Sequence, residues 1–391
     1  MKCFGFSVIA AMMFITMLTS CDKDESGDKF IVSFHSNGGS AVKRQTVKLF
    51  ERVVKPKDPT RKGDLFFAWY RDVELKNEWD FSWNFVVSHL TLYAAWQSVD
   101  PSFKIGGLTI DNYPRVDGST STSPLNILVA CKLLNIGYRW KRDVPQNTQS
   151  IMPNLNDNSE KFWKQVKSSQ THDSFINLIN NDTDLILSAR KISPDEKEYA
   201  DAQGVELTET PIALDAFIFT LHPNNPVRSL TIKQIQDIYT CKITNWKEVG
   251  GRDAKINPYL RNANSGSQEL FEMLVMKDID ISDFPVSSRE LVINSMVGVF
   301  DVVTKDPDAI CYTIYYYKEQ MITETNVVTA AIEGVSPNKE TISDNSYPLV
   351  ADVFAIIRSD LDKSSMAFKL YELLQTQNGK QVIGESGYLP I

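Results

Sequence analysis

Three short stretches gather hydroxyls, glycine and a few charged groups directly in front of apolar runs. In the first, Gly118 is followed by Ser119-Thr120-Ser121-Thr122-Ser123, then by Pro124 and Leu125-Asn126-Ile127-Leu128-Val129-Ala130. Proline suits the first turn of a helix and Ser or Thr its cap. The N–H groups at such a helix start have no acceptor within the helix. With Ser121, Thr122 and Ser123 beside them they form a neutral cradle for an anion. Capping by itself explains the same run.

The second stretch, Ser168-Ser169-Gln170-Thr171-His172-Asp173-Ser174, leads into Phe175-Ile176-Asn177-Leu178-Ile179. Thr171 and His172 are its candidate ligand groups, although a lone His is more often a surface or satisfied polar residue. Asp184-Leu185-Ile186-Leu187-Ser188-Ala189-Arg190 reads as a buried strand with a polar tip. Ligands of open α/β sheets sit beyond the carboxyl ends of strands, which places Ser188 and Arg190 where a site belongs. The third stretch is the most pointed. Lys255 to Leu260 is strand-like, Arg261-Asn262-Ala263-Asn264-Ser265-Gly266-Ser267 follows, and Gln268-Glu269-Leu270-Phe271 begins a helix. Ser265 and Ser267 are candidate caps, and Gly266 lets backbone N–H groups approach a ligand closely. Arg261 supplies a planar fork of donors suited to an oxyanion.

No comparable pattern supports catalysis. Histidine occurs only at 35, 89, 172 and 222, and HExxH, GxSxG and GxxxxGK[ST] are absent. Asp306-Pro307-Asp308 and Asp344-Asn345 lack the alternation of a calcium loop and read as turns. The expectation is a binding protein without cofactor or metal. The 41 Lys+Arg against 49 Asp+Glu give a net charge of −8, which lacks the long-range field of a non-specific nucleic-acid binder. An anion must therefore be held by local donors.

The elements that position these stretches follow from the rest of the 391 residues, of which 42% are hydrophobic and 23% charged, ordinary for a packed chain of two or three units. From Phe103 onward strand-like and amphipathic helical runs alternate, the pattern of an α/β domain. Before it, residues 29–97 are rich in aromatics and turn signals. Phe30 to Phe34 reads as a strand and Ser36-Asn37-Gly38-Gly39 as a tight turn. Trp69, Trp79 and Trp96 read as core at strand spacing, with a sugar-stacking platform as the alternative. Residues 98–102 are the linker. Cys131, Cys241 and Cys311 are widely spaced and odd in number, which suits buried small hydrophobes, with one disulfide plus a free thiol as the minor alternative.

Lys2 precedes an apolar run from Phe4 to Leu18 that ends in Thr19-Ser20-Cys21, the layout of a secretory signal over residues 1–20. The ending Leu18-Thr19-Ser20-Cys21 resembles a bacterial lipobox. That resemblance implies an acylated Cys21 and a polar tether over 21–28; an ordinary signal with a chance cysteine is the alternative.

Two further resemblances organise the chain. Asn37-Gly38-Gly39, Pro56-x-x-Pro59-Thr60-Arg61, Trp69-Tyr70, Trp79-Asp80-Phe81 and Leu90-Thr91-Leu92-Tyr93-Ala94-x-Trp96 resemble the internalin-type B repeat of bacterial surface proteins. This implies a β-grasp-like module that spaces or docks. The body resembles the phosphate-binding protein of bacterial phosphate ABC transporters, within the two-lobed type II periplasmic binding-protein fold. The landmarks are Asp117 to Thr122; Asn225-Pro226-Val227-x-Ser229-Leu230-Thr231; Ile238-Tyr239-Thr240-x-Lys242-Ile243-Thr244-Asn245-Trp246; Arg261-x-x-x-Ser265-Gly266-Ser267; Tyr347-Pro348-Leu349; and Gly387-Tyr388-Leu389-Pro390.

The resemblance implies a first lobe of about 103–217 and 342–391 and a second of 218–341. Extended crossovers near Asp215–Phe219 and Ser343–Val350 act as hinge. It implies phosphate or a similar tetrahedral oxyanion as ligand and a transporter's membrane subunits as partner. It puts Thr122 and Ser123 on one cradle, and Arg261, Ser265, Gly266 and Ser267 on the other. Thr171, His172 and Ser174 fall in the further first-lobe loop. One departure stands out: such receptors carry an Asp near the strand tip where this chain has Arg190. Asp215 either replaces that proton acceptor or pairs with Arg190. The rival function is surface interaction or sensing, with the module docking a partner.

Overall fold

The computed structural model describes residues 28–155, 158–277, 279, 284 and 290–391. The signal sequence, Cys21 and nearly all of the tether lie outside the described residues. Two compact units result, one from the residues up to Pro59 with Trp69–Ala94, the other from Thr60–Ala68 with Ala95–Ile391.

The N-terminal module is built on a four-stranded sheet of β1 (Lys29–His35), β2 (Gln45–Lys48), β3 (Asp64–Tyr70) and β4 (Leu90–Ser98), in the order β2-β1-β4-β3. β1 pairs antiparallel with β2 and parallel with β4. Trp69 and Trp79 are buried, and Phe34 meets the Trp69 ring edge-on at 5.0 Å. These two tryptophans are core, as their spacing suggests, and Trp96 is half-buried.

The strands of the body are β5 (Val116–Gly118), β6 (Leu185–Ser188), β7 (Leu207–Leu221), β8 (Asn257–Pro258), β9 (Ala309–Ile314) and β10 (Val350–Arg358). They form an eight-stranded sheet in the order β8-β9-β7-β10-β6-β5, with Val328–Thr329 and Leu389–Pro390 also pairing β7. β7 is the spine. Its first part lies antiparallel to β10, ending at the pair Ala216–Val350; its last part lies antiparallel to β9, starting at the pair Phe217–Ile314. One strand thus serves two sheet segments and changes partner between Ala216 and Phe217. Fifteen residues at about 3.3 Å each make this possible. From Ala216 to Leu221 every side chain is buried, so the strand reads as a continuous apolar run and not as an alternation.

Helices follow the strand tips: α1 (Ser123–Leu133), α2 (Thr171–Ile179), α3 (Pro194–Ala202) and α4 (Gly266–Leu270). α1 is apolar on all sides because it is buried on nearly all of them. α4 continues as a π-helical stretch, Phe271–Met276, a local widening often met near functional sites. Phe271 stacks on Tyr312 of β9 at 4.7 Å with the ring planes 8° apart, which fixes α4 to the sheet.

Three local expectations need correction. The segment from Lys255 to Leu260 is not one strand. Asn257–Pro258 pairs β9, while Leu260–Arg261 pairs Val292–Ile293, because Pro258 lacks an N–H and the chain changes partner at Tyr259. Thr122 stands at the cap of α1 but makes no side-chain capping bond, since its hydroxyl donates to the carbonyls of Leu187 (2.7 Å) and Ser119 (3.0 Å). At α4, Ser265 alone caps, accepting from the Ser267 N–H, and Ser267 is already inside the helix. Cys131 and Cys311 are buried and Cys241 half-buried, with no disulfide among the described residues. No helix among the described residues is long and apolar enough to cross a membrane.

Candidate anion-binding site

The parallel strands β5 and β6 end side by side, with Gly118 opposite Leu187. A Cβ on Gly118 would stand 2.2 Å from the Leu187 carbonyl oxygen, so only glycine lets the two tips close. Ser119 then becomes a hub. Its Oγ accepts from the Thr171 hydroxyl (2.9 Å) and the Ala189 N–H (3.1 Å), joining three loops. Behind it, the buried Asp117 carboxylate accepts from the N–H groups of Gly118 and Ser169 (both 2.8 Å) and from the Asn177 amide (2.9 Å). Asp117 therefore holds the approach to α2 against the β5 tip.

From the other side comes Arg261. Its backbone N–H donates to Gln268 Oε1 (3.0 Å) and the Tyr312 hydroxyl (2.9 Å), and its Nε donates to the Ile293 carbonyl (3.0 Å). With the base of the guanidinium tied down, Nη1 is left buried without a hydrogen-bond partner among the described residues. Burial pushes the Arg261 pKa down from its usual value. An arginine starts from so high a value that it stays charged, so a cation with an unused donor sits in the wall. A buried unsatisfied donor of this kind calls for a ligand or a water.

These groups surround one cleft of about 30 Å³, room for a compact ion or one or two waters. Ser119, Thr120, Ser121, Gln170, Thr171 and Ala189 line one side; Arg261, Ser265, Gly266, Ser267 and Leu270 line the other, with Met296 and Ile314. The walls touch: a Cβ on Gly266 would meet Thr171 Oγ1 at 2.4 Å. The starts of α2 and α4 thus face one another across the space, α2 with its first-turn N–H groups and α4 with the Gly266 N–H and the Ser265 and Ser267 hydroxyls, the Ser267 N–H being taken by the Ser265 cap.

Of the residues singled out in the sequence, Ser121, Thr171, Arg261, Ser265, Gly266 and Ser267 meet in this cleft. The others stand elsewhere. Thr122 is buried with its hydroxyl spent on the β6 tip, and Ser123 is half-buried in α1. His172 Nδ1 lies 3.0 Å from Glu196 Oε1. Ser188 closes a local turn, donating to the Arg190 carbonyl at 2.7 Å. Arg190 is committed to Glu196 through two bonds, Nη1 to Oε2 at 2.8 Å and Nη2 to Oε1 at 2.7 Å, with both side chains buried. It therefore pairs neither with Asp215 nor with the cleft.

Asp215 sits at the partner change of β7. Its Oδ1 accepts from the Ala216 (2.8 Å) and Tyr316 (2.9 Å) N–H groups, while Oδ2 is buried without a partner. Burial pushes its pKa up to about 7, offset by the two backbone donors. Among the described residues, no carboxylate lines the cleft. Ser119, Thr120, Gln170 and Ala189 were missed in the sequence. Ser119 and Thr120 belong to the hydroxyl run already singled out; for Ala189, whose backbone does the bonding, no side-chain signal exists.

A two-lobed α/β fold of the binding-protein type is the class that this architecture defines. The chain belongs to the PBP superfamily: the PBP superfamily domain matches residues 141–371, and the Listeria–Bacteroides repeat domain matches 30–95. Among its relatives, the phosphate-binding protein PstS of Borreliella burgdorferi is 27% identical over 239 residues, covering 61% of this chain and 82% of that protein. PstS of Staphylococcus epidermidis is 27% identical over 249 residues, covering 61% and 74%. Two solved structures share the fold. One, described as a phosphate ABC transporter substrate-binding protein with bound phosphate, from Clostridium perfringens, has a TM-score of 0.52 at 22% identity over 71% of this chain and 98% of the other. An ABC-type phosphate transport receptor from Vibrio cholerae has a TM-score of 0.50 at 23% identity over 70% and 98%. These relatives are binding proteins and not enzymes.

Proposed function

We propose that the chain is an extracytoplasmic solute-binding protein that captures inorganic phosphate, or a similar tetrahedral oxyanion, for an ABC transporter. The observation that carries this reading is Arg261, a buried cation with an unused donor facing two helix starts. The names of the relatives add phosphate and the transporter. Lobe 1 takes about 103–217 with 342–391, lobe 2 takes 218–341, and the Ala216–Phe217 partner change supports a hinge there. Only the closed arrangement brings both cradles to one ion, so the ligand favours closure, and membrane subunits read the closed form.

The chain is anchored by acyl groups on Cys21, released from a signal over 1–20, and the N-terminal module is an internalin-type B repeat that acts as spacer or docking unit. Isothermal calorimetry with inorganic phosphate on the mature chain tests the receptor reading. Sub-millimolar binding that disappears in Arg261→Ala supports it. Absence of heat with any tetrahedral oxyanion favours surface interaction or sensing instead.

A further inference from the structure

We propose that the N-terminal module rests on an anionic lipid surface through a face carrying Phe50, Arg52, Val54, Trp83, Phe85 and Val87. This rests on the lipid anchor at Cys21.

The face is formed by two stretches that run side by side: the Phe50 N–H donates to the Val86 carbonyl (2.8 Å), and the Val86 N–H donates to the Glu51 carbonyl (2.9 Å). Val53 and Val86 turn inward and are buried, so their neighbours turn outward. Trp83 is 76% exposed, Val54 74%, Phe50 66% and Val87 60%. Phe50 also has a φ of +62°, a backbone region that disfavours bulky residues. Neither burial nor backbone conformation therefore favours an aromatic at that place. Arg52 lies over the Phe85 ring at 4.8 Å, keeping a cation amid the apolar groups. Lys48, Lys55 and Lys57 in the same stretch are exposed, with Glu51 as its exposed acid and Asp58 paired with Lys55 at 3.8 Å. In a chain of net charge −8 this is a local excess of positive charge.

Aromatic and aliphatic groups edged by Lys and Arg are what an anionic bilayer surface attracts. The point where the chain enters the module says the same. The Leu49 N–H donates to the Asp28 carbonyl (3.0 Å), so the chain arrives from the tether next to Phe50. Cys21 is seven residues away, at most about 25 Å of extended chain. An acyl anchor on that residue keeps this face within reach of the bilayer.

The test uses the mature full-length chain reconstituted by its own anchor in vesicles of phosphatidylglycerol and phosphatidylcholine with brominated acyl chains. Flotation and mass spectrometry establish acylation independently. Quenching of tryptophan fluorescence is expected, falling about fivefold in Trp83→Phe and weakening in Arg52→Glu and in pure phosphatidylcholine. Floating protein without quenching, or with quenching unchanged in Trp83→Phe, overturns the docking face and leaves the anchor intact. Equal quenching in pure phosphatidylcholine contradicts the anionic preference. A Cys21 without acyl chains removes the anchor, and this proposal falls with it.

Discussion

Gly266 and Thr171 stand so close across the cleft that a single added methyl would reach the Thr171 hydroxyl at 2.4 Å. This contact measures how tightly the two helix starts meet. Gly266→Ala is expected to hold them apart, weakening phosphate binding at least tenfold, or about 1.4 kcal/mol. Its melting temperature without ligand should change little, because the two helix starts can part when no ion bridges them. Calorimetry and a thermal melt on the same sample check both parts.

The Arg190–Glu196 pair is a framework interaction, and its loss should show in stability. Both side chains are buried and the pair is bidentate. Removing one partner of such a pair strands a charge and costs about 3–5 kcal/mol. Glu196→Ala should therefore lower the urea midpoint sharply with no phosphate present. If Arg190 held the ligand instead, Arg190→Ala would lose affinity at unchanged stability.

Sulfate should compete with phosphate within about tenfold at pH 7. A carboxylate in the wall selects for the proton that phosphate carries and sulfate lacks. The described residues lining this cleft are hydroxyl, amide and apolar groups with one arginine. Competition calorimetry gives the ratio, and a preference beyond about a hundredfold, about 2.7 kcal/mol, contradicts this account.

Asp215 makes stability depend on pH. Its folded pKa of about 7 lies above the ordinary carboxylate value near 4, so the folded state keeps a proton that the unfolded chain has released. Below about pH 4 both states hold that proton and nothing is lost. Stability then falls as pH rises toward 7 and levels off above it. Asp215→Asn keeps an acceptor for the Ala216 and Tyr316 N–H groups without the ionisation. Urea unfolding from pH 5 to 8 should show a smaller decline for this variant than for the parent.

Gln170 has φ +71° and ψ 171°, a region that glycine alone occupies readily. Gln170→Gly should raise stability by about 1 kcal/mol, read as a higher urea midpoint.

Much of this site is legible in the residues themselves. Arg261, Ser265, Gly266 and Ser267 show their purpose because cap, glycine and cation fall within seven positions before an apolar run. The backbone was less open to reading. Nothing in Gln170 as a residue type announces a left-handed start to α2. Thr122 carries the right hydroxyl for a cradle, yet the approach of Gly118 to Leu187 draws it to the β6 tip. Arg190 looked available because Glu196, its partner six residues on, is tied by the N-terminal box of α3 and not by any nearby motif. The partner change and the register of β7 are set by strands roughly a hundred residues later, which no local run of residues announces.

A crystal structure of the mature chain grown with phosphate decides whether the cleft holds the anion. A tetrahedral ion is expected between the α2 and α4 starts, within hydrogen-bond distance of Arg261 Nη1 and of the Ser267 hydroxyl. An empty cleft at saturating phosphate, or an ion bound away from Arg261, would contradict it.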